Sequence, residues 1–183
     1  MNRLERKMAE RRSDLILWVR PRLDQMPLPM QRYDDPFLPF GKVIINTSRD
    51  LLCGYMFDFA DYLALGAAGA VALERTIAYV GDEAVSILHG PLASPDYAKT
   101  ADAFGVDAVT ITDVAMADAY LREGVGVFAP VGGKGDIGAY DLKNRILLVH
   151  GIVLRILSEE VLYAGRGDDF AEQVRTAVEA HIQ

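Results

Sequence analysis

A chain of 183 residues, 51% of them apolar and 25% charged, can bury one substantial core, so a disordered chain is excluded and two full domains are hard to fit. A net charge of −7 and a pI near 4.9 argue against nucleic acid or an anionic membrane surface as partner. The single cysteine, Cys53, allows no disulfide within the chain and is expected to be a small buried apolar residue.

With no apolar run of membrane-spanning length and no signal-peptide pattern at the start, a cytoplasmic protein is expected. Residues 3–24 have helical character, with Leu4, Met8, Leu15, Trp18, Val19 and Leu23 as an incomplete apolar stripe. Arg3, Arg6, Lys7, Arg11 and Arg12 lie opposite, but Glu5, Glu10 and Asp14 are interspersed and can pair with them, which favours a solvated or subunit-contacting helix. Residues 25–40 hold four prolines, Pro27, Pro29, Pro36 and Pro39, which favour an extended course. Met26, Leu28, Met30, Phe37, Leu38 and Phe40 make that segment too apolar for a free linker. It needs a surface to lie on, and a homo-oligomer is expected on that ground. Residues 1–40 are therefore set apart as an N-terminal helix and arm, with residues 41–183 as a single α/β domain.

Residues 42–47 suit a buried strand, and residues 49–65 a helix with Leu51, Leu52, Tyr55, Met56, Phe59, Tyr62 and Leu63 inward. Asp50, Asp58 and Asp61 then fall on its solvated face. Residues 70–80 admit a strand at 70–74 or one at 76–80, and the first continues the alternation of strand and helix. The plainest passage is residues 85–131, where apolar runs at 85–89, 106–112 and 125–129 alternate with helices opened by Ser94 and Asp113 and closed by Gly105 and Gly124. Two successive right-handed crossovers imply a parallel sheet. Strands at 145–149 and 152–157 follow, and the turn at 158–160 suggests an antiparallel hairpin with 161–164. Asp168 or Asp169 caps a final helix from Phe170.

The expected fold is a three-layer α/β domain, with a mostly parallel sheet of five or six strands and an antiparallel C-terminal hairpin. The chain looks short for a complete eight-stranded barrel.

Ligands of such sheets bind beyond the carboxyl ends of the strands. Those ends carry His89, Asp113 and the loop Gly132-Gly133-Lys134-Gly135. An imidazole, a carboxylate and an ammonium are what proton transfer beside an anionic substrate requires. His89 and Asp113 are thus the candidate catalytic residues, with Lys134 and its flanking glycines as the anion site. Arg166, in Gly165-Arg166-Gly167 before the last helix, is a second candidate for a phosphate. Each has a plain structural alternative: a strand-end hydrogen bond for His89, a helix cap for Asp113, and a solvated charge for Lys134 and Arg166. Known phosphate loops do not fit, since Phe128 and Gly135 occupy the positions that a Walker sequence reserves for Gly and Ser or Thr. No short metal-ligand spacing and no Gly-x-Ser-x-Gly elbow occurs, and the sequence leaves any cofactor unknown. The expected function is an enzyme of lyase or isomerase type acting by proton transfer on a small phosphorylated or carboxylated metabolite. The competing expectation is a non-catalytic homo-oligomeric binding or assembly protein working through the N-terminal helix and arm.

Overall fold

The structure, a computed structural model, describes residues 2–130 and 135–182. The elements in order are α1 (Asn2–Arg11), β1 (Leu15–Val19), α2 (Phe37–Ser48), β2 (Gly54–Asp58), α3 (Phe59–Leu63), α4 (Ala67–Val80), β3 (Val85–Leu92), α5 (Ala98–Phe104), β4 (Ala108–Ile111), α6 (Ala117–Arg122), β5 (Gly126–Ala129), β6 (Ile137–Asp141), β7 (Ile146–Val149), β8 (Ile152–Leu157), α7 (Glu159–Leu162) and α8 (Phe170–Glu179).

The eight strands close into a barrel in sequence order. From β8 through β1 to β6 every pairing is parallel, and β7 runs antiparallel to both of its neighbours. Leu15–Leu17 of β1 against Arg155–Leu157 of β8 shuts the ring. The expected three-layer sheet of five or six strands with a C-terminal hairpin is thereby overturned. Antiparallel pairing does occur, but inside the ring and around β7. A chain of this length closes the ring because not every strand needs a helical crossover. Here β6, β7 and β8 are joined by turns at 142–145 and 150–151 instead. His150 at φ 48° and Gly151 at φ 79° supply the two left-handed positions of the second turn.

Three elements between residues 37 and 80 exchange type. Residues 42–47 belong to α2, whose buried positions Phe37, Phe40, Gly41, Ile44, Ile45 and Ser48 follow a helical period. Residues 54–58 form β2, buried along its whole length, so no alternation marks it. Residues 67–80 form α4, which buries Gly69, Ala72, Leu73, Thr76, Ile77 and Val80. Residues 161–162 likewise lie in α7 and form no strand. The prolines at 36 and 39 sit where a helix tolerates them, at the N-cap and in the first turn of α2. Met26, Met30, Phe37 and Phe40 of the proline-rich segment are buried against this chain's own fold, while Leu28 and Tyr33 stay exposed.

Two apolar layers result. The outer one packs α2, α4, α5, α6 and α8 on the barrel. The inner one fills the barrel with Ile16, Met56, Val85, Ile87, Ala108, Phe128, Leu147, Val149, Leu154 and Ile156. Leu4 and Met8 of α1 join that inner layer, so α1 closes the end where the parallel strands begin. Arg3 holds it there through Asp107 at 2.6 Å and the Gly81 carbonyl at 2.6 Å, and Arg11 through Glu83 at 2.7 Å. Two residues of the basic face, Arg3 and Arg11, are thus spent on this chain. The outer face of β7 and β8 carries Leu148 and Val153, cross-strand partners that remain 41% and 47% exposed. Among the described residues no helix is long and apolar enough to cross a membrane.

Phe57 in β2 is fully buried, whereas Phe59, once placed inward on a helix, is only partly so. Phe57→Ala should cost about 3–5 kcal/mol and Phe59→Ala clearly less. Urea denaturation midpoints of the two variants check this ordering, and equal losses would contradict the placement of β2.

Candidate functional site

Side chains on a barrel strand alternate between the interior and the helix layer. The inward positions run Ile16 and Trp18 on β1, Met56 and Asp58 on β2, Ile87 and His89 on β3, Ala108 and Thr110 on β4, Phe128 on β5 and Tyr140 on β6. Their lower members are apolar core. The upper members, Trp18, Asp58, His89, Thr110 and Tyr140, are where polarity begins, and they lie at the carboxyl end of the parallel strands.

His89 sits at the centre of this group. It is the register partner of Asp58, and its Nδ1 lies 2.7 Å from the Thr110 hydroxyl. The Trp18 ring stands edge-on at 5.0 Å and the Tyr140 ring at 6.2 Å. The register between β3 and β4 shifts between Leu88 and Leu92, an irregularity of the kind that re-aims a side chain at a strand end. Gly90 makes it possible, since a Cβ there would come within 2.9 Å of Phe59 Cβ. Burial, with the Arg20 charge adding to it, lowers the His89 pKa to about 4, so the ring is neutral at physiological pH.

Arg20 is the electrostatic hub of the rim. Its guanidinium lies over Trp18 at 4.8 Å and pairs with Asp61 at 2.8 Å, Glu159 at 3.0 Å and Asp58 at 3.6 Å. The Tyr163 hydroxyl donates to the Arg20 carbonyl and accepts from the Arg22 amide, each at 2.8 Å, which fixes the chain as it leaves β1. Asp58 accepts from the Asp61 amide at 3.0 Å and so caps α3. Its burial raises its pKa despite the neighbouring Arg20.

The other expected site residues scatter. Asp113 is exposed and accepts from the Ala115 amide at 2.9 Å, so it serves as a cap and does not meet His89. Gly132, Gly133 and Lys134 lie outside the described residues. Gly135 is exposed at φ 73°. Arg166 is exposed on the segment leading into α8, at the same end of the barrel. It contacts the Gln25 side chain, and its carbonyl accepts from the Leu28 amide at 2.9 Å. Among the described residues it pairs with no carboxylate, unlike Arg20 and Arg22. Trp18, Arg20, Asp58, Thr110 and Tyr140 escaped sequence reasoning. The alternation Ile16, Trp18, Arg20 was a usable signal for the first two.

Hollows also lie elsewhere. One of about 340 Å³ beside Arg3 and Ser86 is at the α1 end, and one of about 390 Å³ lies between α4 and α5. Both are lined by Glu74, and neither holds a histidine. Among the described residues no three His, Cys, Asp or Glu side chains cluster as metal ligands.

Closed barrels with helices outside and polar residues at the carboxyl end define the class of protein to which this geometry is similar. No family model matches the chain. A crystal structure from Streptomyces avermitilis, provisionally assigned as orotidine 5′-phosphate decarboxylase, superposes with a TM-score of 0.71 at 16% identity, over 98% of this chain and 92% of that one. It supports the barrel fold. A second, provisionally assigned as the orotidine monophosphate decarboxylase of Toxoplasma gondii, gives 0.62 at 25% identity, over 73% of this chain and 49% of that one.

Curated relatives carry the same name. Orotidine 5′-phosphate decarboxylase of Herpetosiphon aurantiacus is 32% identical over 118 residues, which is 61% of this chain and 44% of the relative. That of Thermomicrobium roseum is 32% identical over 117 residues, 60% of this chain and 41% of the relative. The chain thus spans less than half the length of the curated relatives it matches.

A histidine buried neutral must take up a proton on unfolding below its ordinary pKa of 6.5. Its contribution to stability is therefore complete above 6.5 and is lost as pH falls towards 4. His89→Gln should flatten the stability profile between those values, as read by urea denaturation at half-unit pH steps. An unchanged slope would show that the ring titrates normally.

Proposed function

We propose that this chain is a lyase acting on a small phosphorylated metabolite at the carboxyl end of its barrel. The substrate class we assign is a carboxylated pyrimidine nucleotide of the orotidine 5′-phosphate kind, and the reaction is release of carbon dioxide. The observation that carries this reading is the pairing of two unlike groups at one end of the barrel. One is the neutral imidazole of His89, and the other is the Arg166 guanidinium, which has no carboxylate partner among the described residues. The named activity of the relatives supports a lyase and gives no support to an isomerase.

In this reading Arg166 takes the phosphate, helped by the backbone at the start of α8. Asp168 and Asp169 limit that help, so the guanidinium provides most of the attraction. Lys134, which follows β5 in sequence, together with Gly132, Gly133 and Gly135, is assigned to the anionic groups of the substrate. Trp18 and Tyr140 flank the space above His89 and exclude water from a planar ring. Decarboxylation breaks the bond between ring carbon and carboxylate and leaves the electron pair on the ring carbon, where a proton replaces the carbon dioxide. His89 is assigned to give its ring N–H proton to that carbon and to regain one from water, so that the neutral imidazole is restored, and Asp58 with Arg20 holds the wall beside it. The competing reading, a non-catalytic assembly protein working through the N-terminal helix and arm, meets an arm whose Met26, Met30, Phe37 and Phe40 are buried on this chain, and it gives the polar barrel end no task.

Orotidine 5′-monophosphate at millimolar concentration should raise the melting temperature, because a ligand of the native state alone stabilises by mass action, about 2.7 kcal/mol at a hundred times Kd. Arg166→Ala should remove most of that shift and leave ligand-free stability nearly unchanged, since an exposed cation contributes little to folding. His89→Gln should still bind but release no carbon dioxide, as followed by the pyrimidine absorbance. No shift with the nucleotide, and none with inorganic phosphate, would overturn the reading.

A further inference from the structure

The contact between Thr110 and His89 decides which face the imidazole shows to a ligand. Thr110 is fully buried, and its hydroxyl has one hydrogen to give. Among the described residues, His89 Nδ1 at 2.7 Å is its one hydrogen-bond partner. Were Nδ1 to carry the ring hydrogen, it would donate to the Thr110 oxygen. The hydroxyl hydrogen would then be stranded in a place water does not reach, and folded proteins rarely leave a buried donor so. The satisfied arrangement has Thr110 donating, Nδ1 accepting and the ring hydrogen on Nε2.

The surroundings agree. No carboxylate competes for Nδ1, because Asp58 is occupied by the Asp61 amide and by Arg20, and the Tyr140 hydroxyl donates to the Ile111 carbonyl at 3.2 Å. Nε2 makes no hydrogen bond with the described residues, yet it is not among the occluded polar atoms. It is therefore not sealed off among the described residues.

We infer that Thr110 is a positioning residue that holds His89 as the Nε2–H tautomer, so that the site presents a neutral N–H donor to an sp² oxygen, a carboxylate or a ring carbonyl, of its ligand. His89 then meets the ligand as a donor and cannot act as a base in the resting protein. The inference about the ligand rests on the proposed function, whereas the tautomer stands apart from it.

Long-range proton–nitrogen correlation NMR on the full chain, labelled with nitrogen-15, reads the tautomer of each imidazole directly. The signal missing from His89→Gln identifies the ring among the three histidines. The expected result is an Nδ1 shift typical of a bare ring nitrogen and an Nε2 shift typical of N–H. Thr110→Ser should keep this pattern. Thr110→Val should mix the tautomers and weaken orotidine 5′-monophosphate binding about tenfold, with recovery in the serine variant. A hydrogen on Nδ1 in the parent protein would overturn the inference whatever the protein binds. An Nε2–H ring in a protein that binds no nucleotide would uphold the tautomer and sink the functional reading instead. If Thr110→Val does not fold, the parent and serine spectra still decide.

Discussion

The closure of β1 on β8 is the constraint on which everything else depends. Three backbone pairs, Leu15–Arg155, Ile16–Ile156 and Leu17–Leu157, turn a twisted sheet into a ring without edges. The seam is fastened from outside, where Arg155 grips Asp14 with two hydrogen bonds of 2.7 Å and donates its own amide to the Asp14 carbonyl at 2.9 Å. Once the ring is shut, all seven parallel strands end on the same side. Residues as distant in sequence as Trp18, His89, Tyr140 and Arg166 are then brought to one end.

That end is set off from the other by what fills the barrel below it. The interior is apolar, and Leu4 and Met8 pack against it at the far end. Polar groups at the top of the inward columns sit over a low-dielectric floor, which suppresses the charge on His89 and pushes Asp58 towards its protonated form. Arg20 compensates three carboxylates there, so it can stiffen the rim but has little charge to spare for a ligand. Arg166, which pairs with no carboxylate among the described residues, is the cation we propose for an anion at this end. The division of labour follows from these pairings: one arginine holds the wall, another faces solvent.

Residues 85–131 were legible because each strand and helix there carries its own punctuation, Ser94 and Asp113 as caps and Gly105 and Gly124 as stops. His89 was legible with them, as the last polar residue of a clear strand. The preceding third of the chain was misread by one element throughout. Val43, Ile44 and Ile45 look like a strand by β-branching, although the buried set from Phe37 to Ser48 has a helical period. Tyr55, Met56 and Phe57 look like part of a helix because a strand buried on both faces shows no alternation. That one shift hid Asp58 on a supposed solvated helix face and concealed its place beside His89. Closure itself was not legible, since the pairing of β1 with β8 joins residues 140 positions apart and leaves no local mark.

The central claim is that the carboxyl end of the barrel, and no other part of the surface, takes a phosphorylated ligand. A crystal structure of the chain soaked with uridine 5′-monophosphate, the expected product, tests it most directly. The account predicts the phosphate against Arg166 and a carbonyl oxygen of the pyrimidine ring within hydrogen-bond distance of His89 Nε2, between Trp18 and Tyr140. Nucleotide bound in the hollow between α4 and α5, or beside Arg3 at the α1 end, with the barrel opening empty in the same crystal, would contradict it.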